Sequence, residues 1–421
     1  MSQPHRVHVV GAGVAGLAAA VTLAEAGVGV VLHEAAPQAG GRCRSYVDAT
    51  LGCRIDNGNH LLIAANHAAM RYIDQIGARG TLTGPGVAAY PFLDRATGER
   101  WVLRPNAGKI PWWVLSSDRR VKGTTPFSYL GARRLMSAPQ DATVAAMLDP
   151  SAVIFRRLWQ PLAVAALNTE TETASAKLFG EVLQQSLGQG GAACEPLVPR
   201  EGLSETLVDP ALAKLRASHA ELRIGSRLRA ITVEGNAIAA LDFDGTTETL
   251  KPGEAAVLAV PSAVAARLVP DLVAPDEYRA IVNAHYRVAL RGDVPWLIGL
   301  IGGTAEWVFR KTEVLSVTVS AADRLVDTPA EDLAPVLWRD VAAAFDLPEE
   351  PMPPWQIVKE KRATFAATPA QLARRPKTAT SWPNLVLAGD WTETGLPATI
   401  EGAIRSGFAA ADLLLGRNQT R

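Results

Sequence analysis

Val7-His8-Val9-Val10-Gly11-Ala12-Gly13-Val14-Ala15-Gly16 decides the fold of this chain. A short apolar strand runs into a G-x-G-x-x-G turn, and an alanine-rich stretch follows. The spacing predicts a helix from about Val14 to Ala26 and a second strand, Val30-Val31-Leu32-His33-Glu34. Gly11 permits the tight turn, Gly13 lets backbone approach a pyrophosphate, and Gly16 lets the helix pack on the strand. The helix start, at Val14 and Ala15, aims free N–H groups and a partial positive charge at phosphate. Glu34 can accept from a ribose 2′-OH, and its charge would repel a 2′-phosphate. Alone, the glycine pattern is a weak signal. Here it has a strand before it, a helix after it and an acid about 20 residues on, as an ADP site requires.

Two further segments extend this site. Gly40-Gly41-Arg42 brings glycine backbone and a forked guanidinium, suited to a phosphate. Far away, Asn384-Leu385-Val386-Leu387-Ala388-Gly389-Asp390-Trp391-Thr392 reads as a strand that ends on Gly389. Asp390 can bond a ribityl chain. A helix is expected from near Ile400 through Ala403, Ile404, Phe408 and Ala411. Its start, at Thr399 and Ile400, can face the N1–C2=O edge of a flavin and stabilise negative charge there. An ADP site and a flavin site on one chain imply FAD. No second G-x-G-x-x-G exists, so NAD(P)H has no evident home and the electron donor is external and unidentified.

At 421 residues the chain exceeds one typical core, so two domains are expected. Lys+Arg and Asp+Glu both total 42, which gives no sign of a nucleic-acid binder. No apolar run reaches the roughly 18 residues of a membrane span; Val294–Ala305 is broken by Pro295 and glycines. Cys43, Cys53 and Cys194 make no disulfide framework. No metal-ligand cluster is expected. A cofactor strand starting near Arg6 leaves no expected leader, so the cytoplasm is the expected compartment, with docking at the inner face of the membrane as an option. The expected fold class is α/β: a Rossmann-like FAD-binding domain from 1–65, 199–261 and 377–421, with a discontinuous mixed α+β substrate-binding domain from 66–198 and 262–376. The stretch 66–198 reads as helical and proline-punctuated. Strands are expected at 222–224, 227–234, 237–244 and 256–260.

These segments resemble the flavoprotein superfamily of amine oxidases and carotenoid desaturases. Within it, four segments are similar to the hydroxysqualene dehydroxylase family, also described as squalene-associated FAD-dependent desaturases. They are Asp56-Asn57-Gly58-Asn59-His60, Leu158-Trp159-Gln160-Pro161-Leu162-Ala163, Ala166-Leu167-Asn168-Thr169 and Gly389 through Thr399. The resemblance implies a long apolar isoprenoid substrate, hydroxysqualene reduced to squalene for hopanoid-type products. It also implies that Leu228 contacts adenine through its backbone and that Gly58, Asn59 and His60 line the flavin. His60 is expected to supply a proton or orient the hydroxyl. Asn59 would bond the hydroxyl or a flavin edge, and Asp56 would orient His60 or cap the turn. Trp159, Pro161, Leu162 and Asn168 are expected to line the substrate tunnel, with core packing as the alternative for Trp159. Where amine oxidases of the superfamily place aromatics, this chain has Ala398 and Thr399, which argues against an amine substrate. A carotenoid-type desaturase or isomerase, and a prenyl-chain binder of the GDP dissociation inhibitor type, remain as alternatives.

Residues 100–134 hold eight basic side chains against one acid, interleaved with Trp112, Trp113, Phe127 and Tyr129. Basic residues among tryptophans suit a membrane interface.

Overall fold

The computed structural model describes residues 3–290, 292 and 294–417. A five-stranded parallel sheet carries the glycine turn. Its strands run in the order Glu221–Ile224, Gly29–Glu34, Arg6–Val10, Glu254–Leu258 and Leu385–Leu387. The central strands are apolar on both faces, as expected for a sheet covered on both sides. The helices Val14–Glu25 and Ile400–Leu414 share one apolar core, built around Leu17, Ala18, Leu23, Ile404 and Phe408. The first and last helices of the described chain therefore lie side by side over the same sheet.

A second sheet has seven strands, in the order Trp355–Phe365, Tyr278–Tyr286, Leu315–Val319, Trp307–Arg310, Leu297–Ile301, Tyr90–Asp94 and Arg100–Leu103. Strand side chains alternate between faces. Val282, Ala284, Val308, Leu315 and Val317 join one face to the helix Ala330–Phe345. The intervening residues point the other way, and that face is divided. Asn283, His285 and Ser316 are buried and polar, with Thr318 beside them. Further along, Phe92, Trp101 and Leu103 pack against the helices Gly131–Met136, Gln160–Leu167 and Ala176–Gln185.

The stretch 66–198 is less helical than its prolines suggested. Tyr90–Asp94 and Arg100–Leu103 form a hairpin of the second sheet, and Pro196–Pro199 pairs with Leu62–Ile63 and Leu82–Thr83. Pro91 and Pro196 sit at register positions inside strands. Reading each proline as punctuation hid the two-residue alternation of Phe92, Trp101 and Leu103. The predicted strands near 228–243 are present at Leu228–Glu234 and Ala237–Phe243, and Thr246–Thr249 adds a third.

Four histidines are held neutral in the interior. His8 and His33 sit on adjacent parallel strands, 3.2 Å apart through Nδ1 and Nε2. His33 also stacks on Phe243 and bonds Ser226 Oγ. Burial lowers His8, lowers His33 and His285 to about 3, and lowers His60 to about 4. The unfolded chain takes up protons below 6.5, while these folded rings do not. Stability is therefore fully present above pH 6.5 and falls as the pH drops toward the folded values. His33 and His285, both fully buried, should each remove roughly 1–1.5 kcal/mol by about pH 5.5. Urea midpoints of the flavin-loaded protein should fall between about pH 7.5 and pH 5.5; equal midpoints would show that these rings are not kept neutral.

Candidate functional site

The glycine turn is geometrically closed to other residues. Gly11 has φ +105°, and a Cβ there would lie 2.3 Å from the Ala259 carbonyl oxygen. Gly13 caps the helix without a side chain, so the first-turn N–H groups face open space. Glu34 is tied to the turn: one carboxylate oxygen accepts from Ala12 N at 2.8 Å and the other from Ala36 N at 2.8 Å. Gly40 N donates to the Ala12 carbonyl at 2.8 Å, which lays Gly41 and Arg42 against the same turn. Ser226 N donates to the Glu34 carbonyl, and the chain then delivers Leu228, buried, beside the strand end. Three neighbouring segments of the N-terminal region and one distant segment, Ser226 to Leu228, thus converge on one cradle at a helix N-terminus.

The C-terminal segment meets this cradle through an ion pair. Arg42 and Asp390 are 2.7 Å apart, and Arg42 also donates to the Ala363 carbonyl. Sequence reading gave the two residues to different parts of one ligand; the fold places them in contact. Gly389 N donates to Ser406 Oγ at 2.7 Å, and Trp391 Nε1 donates to the Val260 carbonyl at 2.8 Å. Thr399 Oγ1 accepts from Gly402 N, which starts the last helix with Ile400 and Ala403 buried in its first turn. Glu401, one residue on, accepts from Ala68 N and Ala69 N and so caps the helix His67–Gln75.

Arg375 was not foreseen. Its guanidinium donates to the carbonyls of Leu396, Asp390 and Thr392 and to Thr394 Oγ1, and lies over the Phe365 ring. It gathers the irregular segment that sets Asp390 and Thr399. Burial lowers it to about 10, which leaves it charged at neutral pH. A run of carbonyl-rich turn before a helix, with an arginine upstream, was the available signal; nothing local says which arginine.

The Asp56–His60 segment departs from expectation at its first residue. Asp56 does not orient His60 through a hydrogen bond. One oxygen accepts from Ser45 Oγ at 2.6 Å and Leu203 N at 2.9 Å, and the other pairs with Lys311 Nζ at 2.5 Å. Burial works to raise this carboxyl, but Lys311 and the hydrogen bonds outweigh it and hold it below the usual range. With both oxygens occupied, Asp56 braces the segment. His60 is half-buried, yet enclosure by protein lowers it to about 4. A ring neutral at pH 7 can orient a hydroxyl but is not a standing acid.

Two of the expected tunnel residues are structural. Asn168 takes a left-handed conformation at the end of Gln160–Leu167. Its oxygen accepts from Ala321 N at 2.7 Å, and its amide donates to Thr364 Oγ1 and the Arg279 carbonyl, so it braces three segments. Trp159 is buried in the apolar cluster, edge-on to Tyr129, which is edge-on to Trp113. Its position in the core follows from the helical spacing of Phe155, Leu158, Trp159 and Ala163. Pro161 and Leu162 stay half-buried on the same helix. No cluster of metal-ligating side chains occurs among the described residues, and none of their helices is long and apolar enough to cross a membrane.

The family model for flavin-containing amine oxidoreductases matches residues 14–415. The hydroxysqualene dehydroxylase of Rhodopseudomonas palustris is 50% identical over 97% of this chain and 98% of its own length. That of Sinorhizobium fredii is 45% identical over 99% of this chain and 100% of its own. Among solved structures, the cyclohexylamine oxidase of Brevibacterium oxydans superposes with a TM-score of 0.72 at 16% identity, covering 98% of this chain and 99% of that one; this likeness speaks for the fold alone. The chain belongs to the flavin-containing amine oxidoreductase family and, within it, to the hydroxysqualene dehydroxylases.

Arg375→Met should leave the parallel sheet folded but lower flavin retention. Several buried bonds to carbonyls are lost, at about 1–1.5 kcal/mol each, so affinity should fall about tenfold or more. The ratio of flavin to protein absorbance after purification, followed by flavin titration, measures it. Full retention would show that Arg375 does not hold the loop.

Proposed function

We propose that this member of the hydroxysqualene dehydroxylase family binds FAD non-covalently and reduces hydroxysqualene to squalene with loss of water. One observation carries the chemistry: Asn283 and Thr318, met by the half-buried Asn59 and His60, share a sheet face with the apolar wall of Phe92, Trp101 and Leu103. A long hydrocarbon with one hydroxyl has the same division. The name shared by relatives over the whole chain supports the same substrate.

On this reading FAD is held from 1–65, 199–261 and 377–421, and substrate by 66–198 and 262–376. Gly11, Gly13, Val14, Ala15 and Gly16 would cradle the pyrophosphate and Glu34 the ribose. Gly41 and Arg42 would complete the phosphate site, with Leu228 at adenine. Gly58, Asn59, His60, Gly389, Asp390, Thr399, Ile400 and Ala403 would surround the flavin end. The open helix start at Gly13 and the acid tied to it by Ala12 fit such a ligand. Cys43, Cys53 and Cys194 are buried, and burial pushes Cys43 and Cys194 up to about 12, which makes them poor nucleophiles for a covalent flavin link.

When bound in its reduced form, FAD supplies a hydride and a proton. In net terms the alcohol carbon gains hydride, its C–O bond breaks, and the hydroxyl leaves as water with one proton. Neutral His60 orients the hydroxyl. The apolar wall excludes water, which would otherwise trap an allylic cation as alcohol. Recharging takes two electrons from an external reductant.

The substrate's hydrophobicity makes a membrane its natural store. Six of the ten large apolar side chains exposed among the described residues fall between 110 and 136: Ile110, Trp112, Leu115, Phe127, Leu130 and Met136. Ile110 is 78% exposed and Phe127 79%. Of the basic residues there, Arg100 pairs with Asp346 and Lys122 with Glu99, while Arg104, Lys109, Arg119, Arg120, Arg133 and Arg134 have no carboxylate partner among the described residues. Trp113 is buried and begins the Trp113–Tyr129–Trp159 ladder into the core. An apolar tip ringed by unpaired cations fits an anionic bilayer surface.

Mass spectrometry of the lipid extract, after anaerobic incubation of flavin-reduced protein with hydroxysqualene, should show squalene. Recovery of unchanged alcohol would overturn the assignment. For docking, Ile110→Glu with Phe127→Glu should lower recovery on anionic vesicles about tenfold or more, given roughly 1.5–3 kcal/mol for each buried side chain. Turnover of detergent-dispersed substrate should be unchanged. Recovery equal to that of the parent protein would remove the membrane.

A further inference from the structure

One polar atom of Asn59 and one of Asn283 make no hydrogen bond to a described residue. Asn59 Oδ1 is shielded from solvent and accepts no hydrogen bond. Asn283 is buried, and its Nδ2 makes no hydrogen bond to a described residue.

Their orientation follows from what surrounds them. Asn59 Nδ2 donates to the Val317 carbonyl at 3.3 Å and to Thr318 Oγ1 at 3.1 Å. A carbonyl only accepts, so the amide nitrogen of Asn59 lies on that side and its oxygen on the other. Thr318 Oγ1 donates in turn to Asn283 Oδ1 at 2.9 Å, and Asn59 N donates to the same oxygen at 3.5 Å. The oxygen of Asn283 is thereby used and its nitrogen is free. Asn283 and Thr318 are direct cross-strand partners, which fixes the register of the whole relay. The relay ends in one acceptor, Asn59 Oδ1, and one donor, Asn283 Nδ2.

Asn59 follows Gly58 in the chain, and the free nitrogen of Asn283 lies over that glycine. A carbon built onto its Cα would lie 3.3 Å from Asn283 Nδ2 and 4.0 Å from His60 Nε2. The missing side chain lets Asn283 Nδ2 close on the backbone at Gly58, where any Cβ would press on it. A buried amide oxygen is costly to leave unmade, so Asn59 Oδ1 calls for a donor, and the amide N–H of Asn283 is free to serve the same ligand. A hydroxyl is at once a donor and an acceptor; a hydrocarbon is neither.

We propose that Asn59 and Asn283, locked by Thr318, form a hydroxyl clamp that selects the alcohol over the hydrocarbon product. Asn283 Nδ2 donates to the substrate oxygen, and Asn59 Oδ1 accepts its proton side. Thr318 is a positioning residue that acts through both amides. The clamp rests on the dehydroxylase reading above and adds a consequence: squalene, without a hydroxyl, loses its hold and leaves.

The test uses flavin-loaded protein in the oxidised state, where the alcohol binds without reacting. Flavin absorbance changes, in a fixed detergent, report the affinities for hydroxysqualene and squalene. The parent protein should bind the alcohol at least about tenfold tighter, as sites that hydrogen-bond a hydroxyl reject analogues lacking it. Asn283→Leu and Thr318→Val should bring the ratio close to one while squalene affinity stays within about twofold. Thr318→Ser, which keeps the hydroxyl, should restore the preference. An unchanged preference in both variants with flavin intact overturns the clamp. So does a shift of the flavin spectrum or potential without loss of preference, since the pair would then serve the cofactor. Failure of the parent protein to convert hydroxysqualene would instead count against the dehydroxylase reading.

Discussion

The buried carboxylate of Asp56 is the joint on which the site depends. It binds Ser45 on the neighbouring strand, Leu203 N and, through Lys311, the hairpin 307–319 of the second sheet. Ser45 and Ser204 exchange hydrogen bonds alongside. Three distant segments are thus pinned together one turn ahead of Gly58, Asn59 and His60. A buried ion pair is weak support for stability in itself, because desolvating both charges offsets most of their attraction. Its effect here is positional. A buried carboxylate stripped of its partners is costly, so the two-stranded ribbon of Ser45–Asp48 and Cys53–Asp56 has one favoured relation to the seven-stranded sheet at this point.

From that relation follows the division of the second sheet's inner face. Side-chain alternation puts Asn283, His285 and Ser316 on the same face as Phe92 and Trp101, but at opposite ends of the strand order. The polar end meets the 58–60 segment; the apolar end meets the helices 131–185. Hydrophobic burial holds the second region and hydrogen bonds hold the first. A molecule that reached across both would have its functional group fixed and its chain merely enclosed. Orientation by one end and tolerance along the rest suits a flexible C30 chain.

The parts of this protein legible in its sequence are those whose chemistry is local. Gly11, Gly13, Gly16 and Glu34 form one strand–turn–helix–strand unit, and each residue's reason lies within that span. The last helix announced itself through the spacing of Ile400, Ala403, Ile404 and Phe408. Arg375, Lys311, Asn283 and Thr318 were invisible for the opposite reason. Arginine and lysine read as surface charge until a fold shows which carbonyls or carboxylates they meet, and the amide–threonine relay exists only through cross-strand register. Asn168 braces neighbouring segments, and in sequence a short amide at a helix end looks the same whether it does that or meets a ligand. The 90–103 hairpin was concealed by prolines that strands here accommodate.

The order of strands in the parallel sheet has a consequence for biosynthesis. The edge strand Leu385–Leu387 and the helix that covers it are made long after the glycine turn, yet they complete the sheet that carries it. Until then the strand Glu254–Leu258 shows an unpaired flank, and the alanine-rich first helix lacks its companion. A nascent chain in that state invites off-pathway pairing. Capture of a cofactor at the glycine turn is thereby deferred until the segment Leu385–Leu414 has been made.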